Sequence, residues 1–183
     1  KANFTVMVSP SFDRIADAWP TAQVTLLDDS SPPFSDAYLA PCMQDLWRSL
    51  WNLDATIPLD CDDCFGPDGG GISNLAPYLA AKHPGQRFGL YSALRDSVIR
   101  TFFGFGMNDC KGGIMSGEVF EAGLTDLRDN TLGDDPAWAT FYAPGINHTI
   151  TAGPGFYTTE VRDTRLVDWV EQLLNGQTSH VAP

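Results

Sequence analysis

The chain has 183 residues, 43% of them hydrophobic and 19% charged, a composition that predicts one folded domain over residues 1–183. Its 23 acidic and 11 basic residues give a formal net charge of −12. Because phosphate backbones and anionic lipids repel such a surface, the charge argues against nucleic acid or a membrane surface as a partner. No apolar run approaches the roughly 18 residues of a membrane-spanning helix, so no membrane span is expected.

Hydrophobic periodicity and turn residues predict the secondary structure in chain order. The expected elements are a helix over 12–18, a buried strand over 23–27, a helix over 36–52, a loop over 58–71, a helix over 75–82, a strand over 87–92, a helix through 98–103, a glycine-rich loop over 104–113, a helix over 118–129, a strand over 138–143 and a final helix over 161–174.

The order of these elements predicts the fold class. Strands separated by helices, with no tight hairpin between them, indicate an α/β fold with a mostly parallel sheet and helical crossovers. Polar residues follow each strand: Asp28, Asp29 and Ser30 after the first, Asp96 after the second and His148 after the third. Because catalytic groups collect at the carboxyl ends of parallel strands, these residues are expected at one edge of the sheet.

Asp96 and His148 together suggest the acid and the base of a serine hydrolase. In an α/β-hydrolase the triad occurs in the order serine, acid, histidine, and each member lies on a loop after a strand. A carboxylate fixes the imidazole tautomer, and the histidine moves the proton of the serine. Each residue also has an ordinary alternative. Asp96 suits a helix N-cap, and His148 suits a surface or capping position. His83, in a turn, and His180, in a polar tail, are less suited to catalysis.

The four cysteines are interpreted as two disulfides of an exported protein, secreted or periplasmic. We expect Cys42 to pair with Cys61 and Cys64 with Cys110, since both bonds would pin the long loop. Zinc is the alternative for Cys61-x-x-Cys64, but no second Cys or His pair at metal spacing follows. Asp28, Asp29, Asp62 and Asp63 lack the spacing of a calcium loop. No metal or cofactor is therefore expected.

Two sequons, at Asn3 and Asn147, are candidate glycosylation sites. Two other patterns are assigned ordinary roles. Gly69-Gly70-Gly71 is expected to be a flexible loop and not an oxyanion hole, because no strand precedes it. Trp47 and Trp51, at helical spacing, are expected to pack against the core and not to bind sugar.

Several motifs in order resemble the bacterial pectin acetylesterase-like proteins, a group that includes the Notum-type carboxylesterases. The resemblance runs from about Phe12 to Leu174. Its motifs are Asp29-Ser30-x-Pro32-Pro33-Phe34, Pro41-Cys42-Met43-Gln44-x-x-Trp47, Trp51-Asn52-Leu53, Cys61-x-x-Cys64, Leu90-Tyr91-Ser92-Ala93-x-x-Asp96-x-Val98-Ile99, the Phe-Phe-Gly-Phe-Gly run from Phe102, and Phe141-x-x-x-x-x-Asn147-His148-Thr149. It implies an α/β-hydrolase-like fold, with Asp96 as the triad acid and His148 as the base.

The chain departs from this family at the nucleophile. The family's Gly-x-Ser-Ala-Gly-Gly elbow should lie about 10 residues before the segment that matches 12–16, and counting back lands on residues 1–3. Residues 1–10 contain no glycine, and Ser9 stands in Val-Ser-Pro-Ser without the glycines of a strained turn. We therefore expect Ser9 to be a loop or helix-capping residue. The N-terminal strands and the serine are expected on an upstream segment or a second chain.

These observations lead to two hypotheses. The first is a secreted serine carboxylesterase that hydrolyses small-acyl, acetyl-type esters of a carbohydrate or related small molecule, with the nucleophile outside this chain. The second is a non-catalytic secreted scaffold or binding fragment that keeps the hydrolase fold.

Overall fold

The computed structural model describes residues 3–6, 9–133 and 135–183, with residues 3–6, 9 and 10 described by their backbone alone. The helices are α1 (Ser9–Ala18), α2 (Pro41–Trp51), α3 (Leu75–Lys82), α4 (Ser97–Gly104), α5 (Met107–Cys110), α6 (Gly117–Asp126), α7 (Gly155–Thr158) and α8 (Leu166–Leu174). The strands are β1 (Asn3–Val6), β2 (Gln23–Asp29), β3 (Arg87–Ala93), β4 (Trp138–Ala143), β5 (Glu160–Val161), β6 (Thr164–Arg165) and β7 (His180–Val181).

The main sheet is parallel and has helices on both faces, as the α/β prediction required. Its strand order is β1-β2-β3-β4-β7, and every neighbouring pair is parallel. Asp29 of β2 lies opposite Tyr91 of β3, and Ala93 lies opposite Ala143 of β4. The carboxyl ends of β2, β3 and β4 therefore meet at one edge.

Alternating side chains of the strands form two cores. One face carries Leu26, Phe88, Leu90, Trp138 and Tyr142, and packs against apolar residues of α1, α2, α3, α4 and α6. The other face carries Leu27, Tyr91 and Phe141, and α8 covers it with Leu166, Trp169 and Leu173. Gly89 allows this close approach, because a Cβ there would lie 2.5 Å from Leu173 Cδ2. Burial on both faces explains why the strands are continuous apolar runs.

Residues 159–181 differ from the sequence prediction in two places. The final helix begins at Leu166 and not at 161, because residues 160–165 form a hairpin of β5 and β6. Its two turn residues, Arg162 and Asp163, both have positive φ, of 47° and 63°, and lack the glycine or asparagine that marks such turns. The expected polar tail also contains β7, which extends the sheet beside β4.

The helix expected over 36–52 begins at Pro41, which occupies its first turn where no amide hydrogen is needed. The loop before α3 is not a flexible triglycine segment. Arg48 of α2 donates to the carbonyls of Cys64, Gly69 and Gly70. Asp36 accepts a hydrogen bond from the Gly71 amide. Two side chains from outside the loop thus fix its backbone.

All four cysteines form disulfides, but the expected pairing is wrong. Cys42 bonds to Cys110 and Cys61 bonds to Cys64. The first bond joins α2 to α5. The second bond spans one turn of 3₁₀ helix (Asp62–Cys64), which Cys61 directly precedes. Within the part of the chain that the structure describes, no helix is long and apolar enough to cross a membrane.

Candidate active site

The loops after β3 and β4 are hydrogen bonded to each other, and this brings Asp96 and His148 together. Beyond the last strand residues, the amide of Leu94 donates to the Ala143 carbonyl at 2.8 Å. The amides of Arg95 and Ser97 then donate to the carbonyls of Gly145 and Ile146, each at 3.0 Å. The ladder between the strands thus continues into both loops and places residue 148 beside residue 96.

Asp96 uses its two carboxylate oxygens for different partners. Oδ1 accepts hydrogen bonds from the amides of Val98 and Ile99, at 2.9 and 3.0 Å, and so caps helix α4. Oδ2 lies 3.0 Å from Nδ1 of His148. The carboxylate is fully buried. The capping role and the histidine-binding role, which the sequence posed as alternatives, therefore coexist in one side chain.

His148 is oriented by this contact. Opposite an ionised carboxylate, which only accepts hydrogen bonds, a neutral imidazole donates from Nδ1 and keeps its free lone pair on Nε2. The side chain is 31% exposed, which leaves the ring accessible from solvent. The hydrogen bond that residue order and strand placement predicted between Asp96 and His148 is present. The arrangement can accept a proton on Nε2 while the carboxylate stabilises the resulting imidazolium.

Asp29 and Ser30, at the end of β2, also belong to this edge of the sheet. Both are buried, and they accept hydrogen bonds from the backbone directly after His148. Their sequence context predicts polar residues at the carboxyl end of a strand but no specific role. The available signal was an Asp-Ser pair at a strand end, which alone does not reveal a partner about 120 residues away in the chain.

Tyr91 reports the negative charge of this region. Burial, together with the smaller effects of the Asp29 and Asp96 charges, raises the pKa of its phenol to about 12. Both buried carboxylates therefore lie near Tyr91, at the edge of the sheet that also carries His148.

An apolar cavity of about 390 Å³ lies beside the site. Asp28 and Ser31 from the end of β2 line it, together with Ile99 of α4. The rest of its wall is apolar: Pro32, Pro33, Leu39, Trp47, Trp51, Leu53, Ile57, Ile72, Leu75, Phe102 and Phe103. Concave apolar pockets with a few polar groups are typical of small-molecule sites.

Trp47 and Trp51 are predicted to pack against the core, and only Trp47 does so. Trp47 is half-buried and contacts Phe103, with ring centroids 5.9 Å apart. Trp51 is 60% exposed and stacks on Trp47 at 5.6 Å. Both rings line the cavity, so the pair forms part of its wall as well as part of the fold.

The remaining sequence candidates lie as follows. Asn147 is exposed and directly precedes His148, so a glycan there would stand beside the imidazole. Asn3 begins β1, and its side chain is outside the described residues. Ser9 is the first residue of α1, which follows β1 after residues 7 and 8, and its side chain is likewise outside them. The capping or loop role of Ser9 therefore stays a prediction.

The other two histidines each have a partner elsewhere. His83 Nε2 lies 2.7 Å from Asp13, a buried carboxylate on α1 that also contacts Lys82 at 2.8 Å. With Asp17 these side chains form a cluster of metal-ligand type, but the lysine ammonium already supplies a cation there. His180 Nδ1 lies 3.0 Å from the Thr140 hydroxyl, and burial lowers the pKa of His180.

No protein-family model matches the chain, and no match was found among curated proteins.

Proposed function

We propose that this chain carries the acid and the base of a secreted serine carboxylesterase of α/β-hydrolase type, and that the nucleophilic serine lies outside it. The observation that carries the proposal is the Asp96–His148 hydrogen bond at the carboxyl edge of a parallel sheet. The two disulfides support an oxidising, extracellular or periplasmic location.

In the proposed reaction His148 Nε2 removes the proton of the serine hydroxyl as the serine oxygen attacks the ester carbonyl. The imidazolium then gives that proton to the leaving alcohol, and an acyl-enzyme remains. Water attacks the acyl group with His148 again as base, and the acid departs with the serine restored. Asp96 holds Nδ1–H throughout and stabilises the cation.

The substrate that we propose is a small-acyl, acetyl-type ester of a carbohydrate or related alcohol. The adjacent cavity supports binding of an apolar part of the ester. Its wall includes Ser31, which directly follows Ser30, and Ile99, whose amide donates to Asp96. Its volume of about 390 Å³ exceeds the needs of an acetyl group, so the proposal extends to somewhat longer acyl chains.

Substitution of His148 tests the proposal. In the complex of this chain with the polypeptide that supplies the serine, His148→Ala should lower kcat for p-nitrophenyl acetate by about 10⁴-fold or more. His83→Gln is the matched control, because it changes a histidine that is also paired with a buried aspartate. Its rate should equal that of the wild type. A His148→Ala complex with wild-type kcat would end the proposal.

The alternative is a non-catalytic secreted scaffold or binding fragment. The apolar cavity favours this alternative, because binding of a small apolar molecule needs no nucleophile. Leu53→Trp would fill the cavity, and Leu59→Trp, at a position 87% exposed, is its control. Under either function Leu53→Trp should weaken octanoate binding to the chain in calorimetry. The alternative alone predicts that no serine-supplying complex has His148-dependent turnover.

A further inference from the structure

The backbone that follows His148 is held by one buried dipeptide, Asp29-Ser30. Three consecutive amides, those of residues 149–151, donate to it. The first donates to Ser30 Oγ at 3.2 Å, and the other two donate to the Asp29 carboxylate at 2.9–3.1 Å. Asp29 is 5% exposed and Ser30 is fully buried. Every amide of this segment is thus satisfied by a side chain of the β2 end.

Two residues of this contact have strained backbones. Ser30 has φ of 76° and Thr149 has φ of 55°, in the left-handed region that is unfavourable for residues with a Cβ, above all for β-branched ones. Each of these conformations is unfavourable for a residue with a Cβ. The Thr149 amide donates to Ser30 Oγ, so the two strained residues are bonded to each other. Strain persists only where its surroundings enforce it, and such residues are frequent at active sites.

The segment on the other side of His148 is fixed as well. The carbonyls of Gly145 and Ile146 accept hydrogen bonds from the amides of Arg95 and Ser97, which flank Asp96. The backbone is therefore fixed by hydrogen bonds on both sides of residue 148, at residues 145–146 and at residues 149–151. These hydrogen bonds set the position of the His148 Cα relative to Asp96. A change in either anchor shifts the ring relative to the carboxylate.

We propose that Asp29, assisted by Ser30, is a positioning residue for His148 that acts through the backbone of residues 149–151. The role in catalysis rests on the proposed function of His148 as the base. Asp29 contacts neither the imidazole nor Asp96 in any hydrogen bond of the described residues, so its effect is geometric. The Thr151 hydroxyl, which donates to Asp29 Oδ2 at 2.6 Å, strengthens the anchor.

The position of the His148 ring can be measured on the chain alone. Its Nδ1–H proton, held by Asp96, should give a slowly exchanging downfield resonance in NMR spectra. Asp29→Asn puts an –NH₂ group, which is a donor, opposite backbone amides that are themselves donors. Some of the hydrogen bonds from the amides of residues 150 and 151 are therefore lost. We expect this resonance to broaden or disappear, and the rate of His148 modification by diethyl pyrocarbonate to change several-fold.

Asp13→Asn is the matched control. Asp13 is also a buried carboxylate with several partners, but it joins α1 to His83 and Lys82. Its substitution also disturbs a buried carboxylate, so far-UV circular dichroism is used to check that both variants are folded. The His148 signals of Asp13→Asn should stay as in the wild type. A folded Asp29→Asn protein with wild-type His148 resonance and modification rate would overturn the proposal.

Two milder variants apply if Asp29→Asn does not fold. Ser30→Ala removes the acceptor of the Thr149 amide, and Thr151→Val removes one donor to Asp29. The double variant should disturb the His148 resonance more than either single one. If the double variant folds and its His148 resonance is the same as in the wild type, the proposal is wrong.

Kinetics separate this inference from the proposed function. In the serine-supplying complex, Asp29→Asn should lower kcat by up to about 100-fold, the cost of a misplacement near 1 Å, with KM unchanged. If the complex has no esterase activity but the His148 resonance still depends on Asp29, then the positioning holds and the esterase proposal fails. If activity depends on His148 but Asp29→Asn retains wild-type kcat, the positioning role fails alone.

Discussion

Asp96 and His148 are joined by a hydrogen bond of 3.0 Å from Nδ1 to Oδ2, while the other oxygen of Asp96 caps α4. The helix and the imidazole thus share one buried carboxylate. Because the helix fixes the direction of Asp96, it also fixes the direction of the ring. A change at the start of α4 is therefore expected to displace the imidazole as well.

Asp96→Asn separates these two functions. Asparagine is as good an N-cap as aspartate, so the helix should be kept and the melting temperature should change little. Its amide –NH₂, however, cannot accept the Nδ1–H of His148, and the ring should switch to the Nε2–H tautomer. We expect ¹⁵N chemical shifts of His148 to report this switch, and kcat of the serine-supplying complex to fall by about 10⁴-fold. An unchanged tautomer in the folded variant would contradict the assignment of Asp96.

The two disulfides should differ in their contribution to stability. Cys42–Cys110 closes a span of 68 residues, whereas Cys61–Cys64 closes one of 3. Loop-closure entropy predicts that Cys42→Ser/Cys110→Ser lowers the free energy of unfolding by about 4 kcal/mol, and Cys61→Ser/Cys64→Ser by about 2 kcal/mol. Urea denaturation of each double variant measures both values. Equal losses would show that strain or residual structure, and not loop length, sets the effect.

Gly89→Ala tests the packing of α8 on β3. The added methyl would lie 2.5 Å from Leu173 Cδ2 and 3.0 Å from Trp169, so these two buried side chains must shift. Overpacking of this kind costs about 1–3 kcal/mol in the free energy of unfolding. Gly153→Ala, where a Cβ meets no atom within 4 Å, should change stability by less than about 0.5 kcal/mol. The account of α8 is wrong if the two variants are equally stable.

His180 should make stability depend on pH. Burial, with a smaller effect of the Arg128 charge, lowers the pKa of His180 below its ordinary value of 6.5. The unfolded chain then binds the proton more readily than the folded one. The stabilisation is present above the ordinary value and is lost as pH falls below it. The difference in free energy of unfolding between wild type and His180→Gln should therefore shrink from about pH 8 to about pH 5. A constant difference would count against this assignment.

Local signals were sufficient for most of the sheet and for the Asp96–His148 pair. The strands over 87–92 and 138–143 are continuous apolar runs buried on both faces, and the polar residue after each had to fall at the same edge. The helix over 75–82 was predicted with its observed bounds. In each case the physical cause lies within about ten residues of the element itself.

Features that depend on distant residues, or on a turn without the usual turn residues, could not be predicted in this way. The Cys42–Cys110 bond follows from the packing of α2 beside α5. The spacing of the cysteines in the sequence does not determine which of them pair. The β5–β6 turn uses Arg162 and Asp163 at positive φ without a glycine. β7 forms because β4 offers it a free edge. The anchoring of residues 149–151 by Asp29 likewise needs two segments about 120 residues apart.

Hydrolysis of p-nitrophenyl acetate, with and without the serine-supplying polypeptide, tests the central claim most directly. Asp96 and His148 alone lack the attacking oxygen and the oxyanion donors, one of which is worth about 10²–10³ in rate. The chain alone should therefore stay at a histidine-mediated background, and Ser9→Ala should not alter it. The complex should turn over, and His148→Ala should abolish that turnover. Robust turnover by the chain alone that disappears in Ser9→Ala would contradict the account and place the nucleophile at the start of α1.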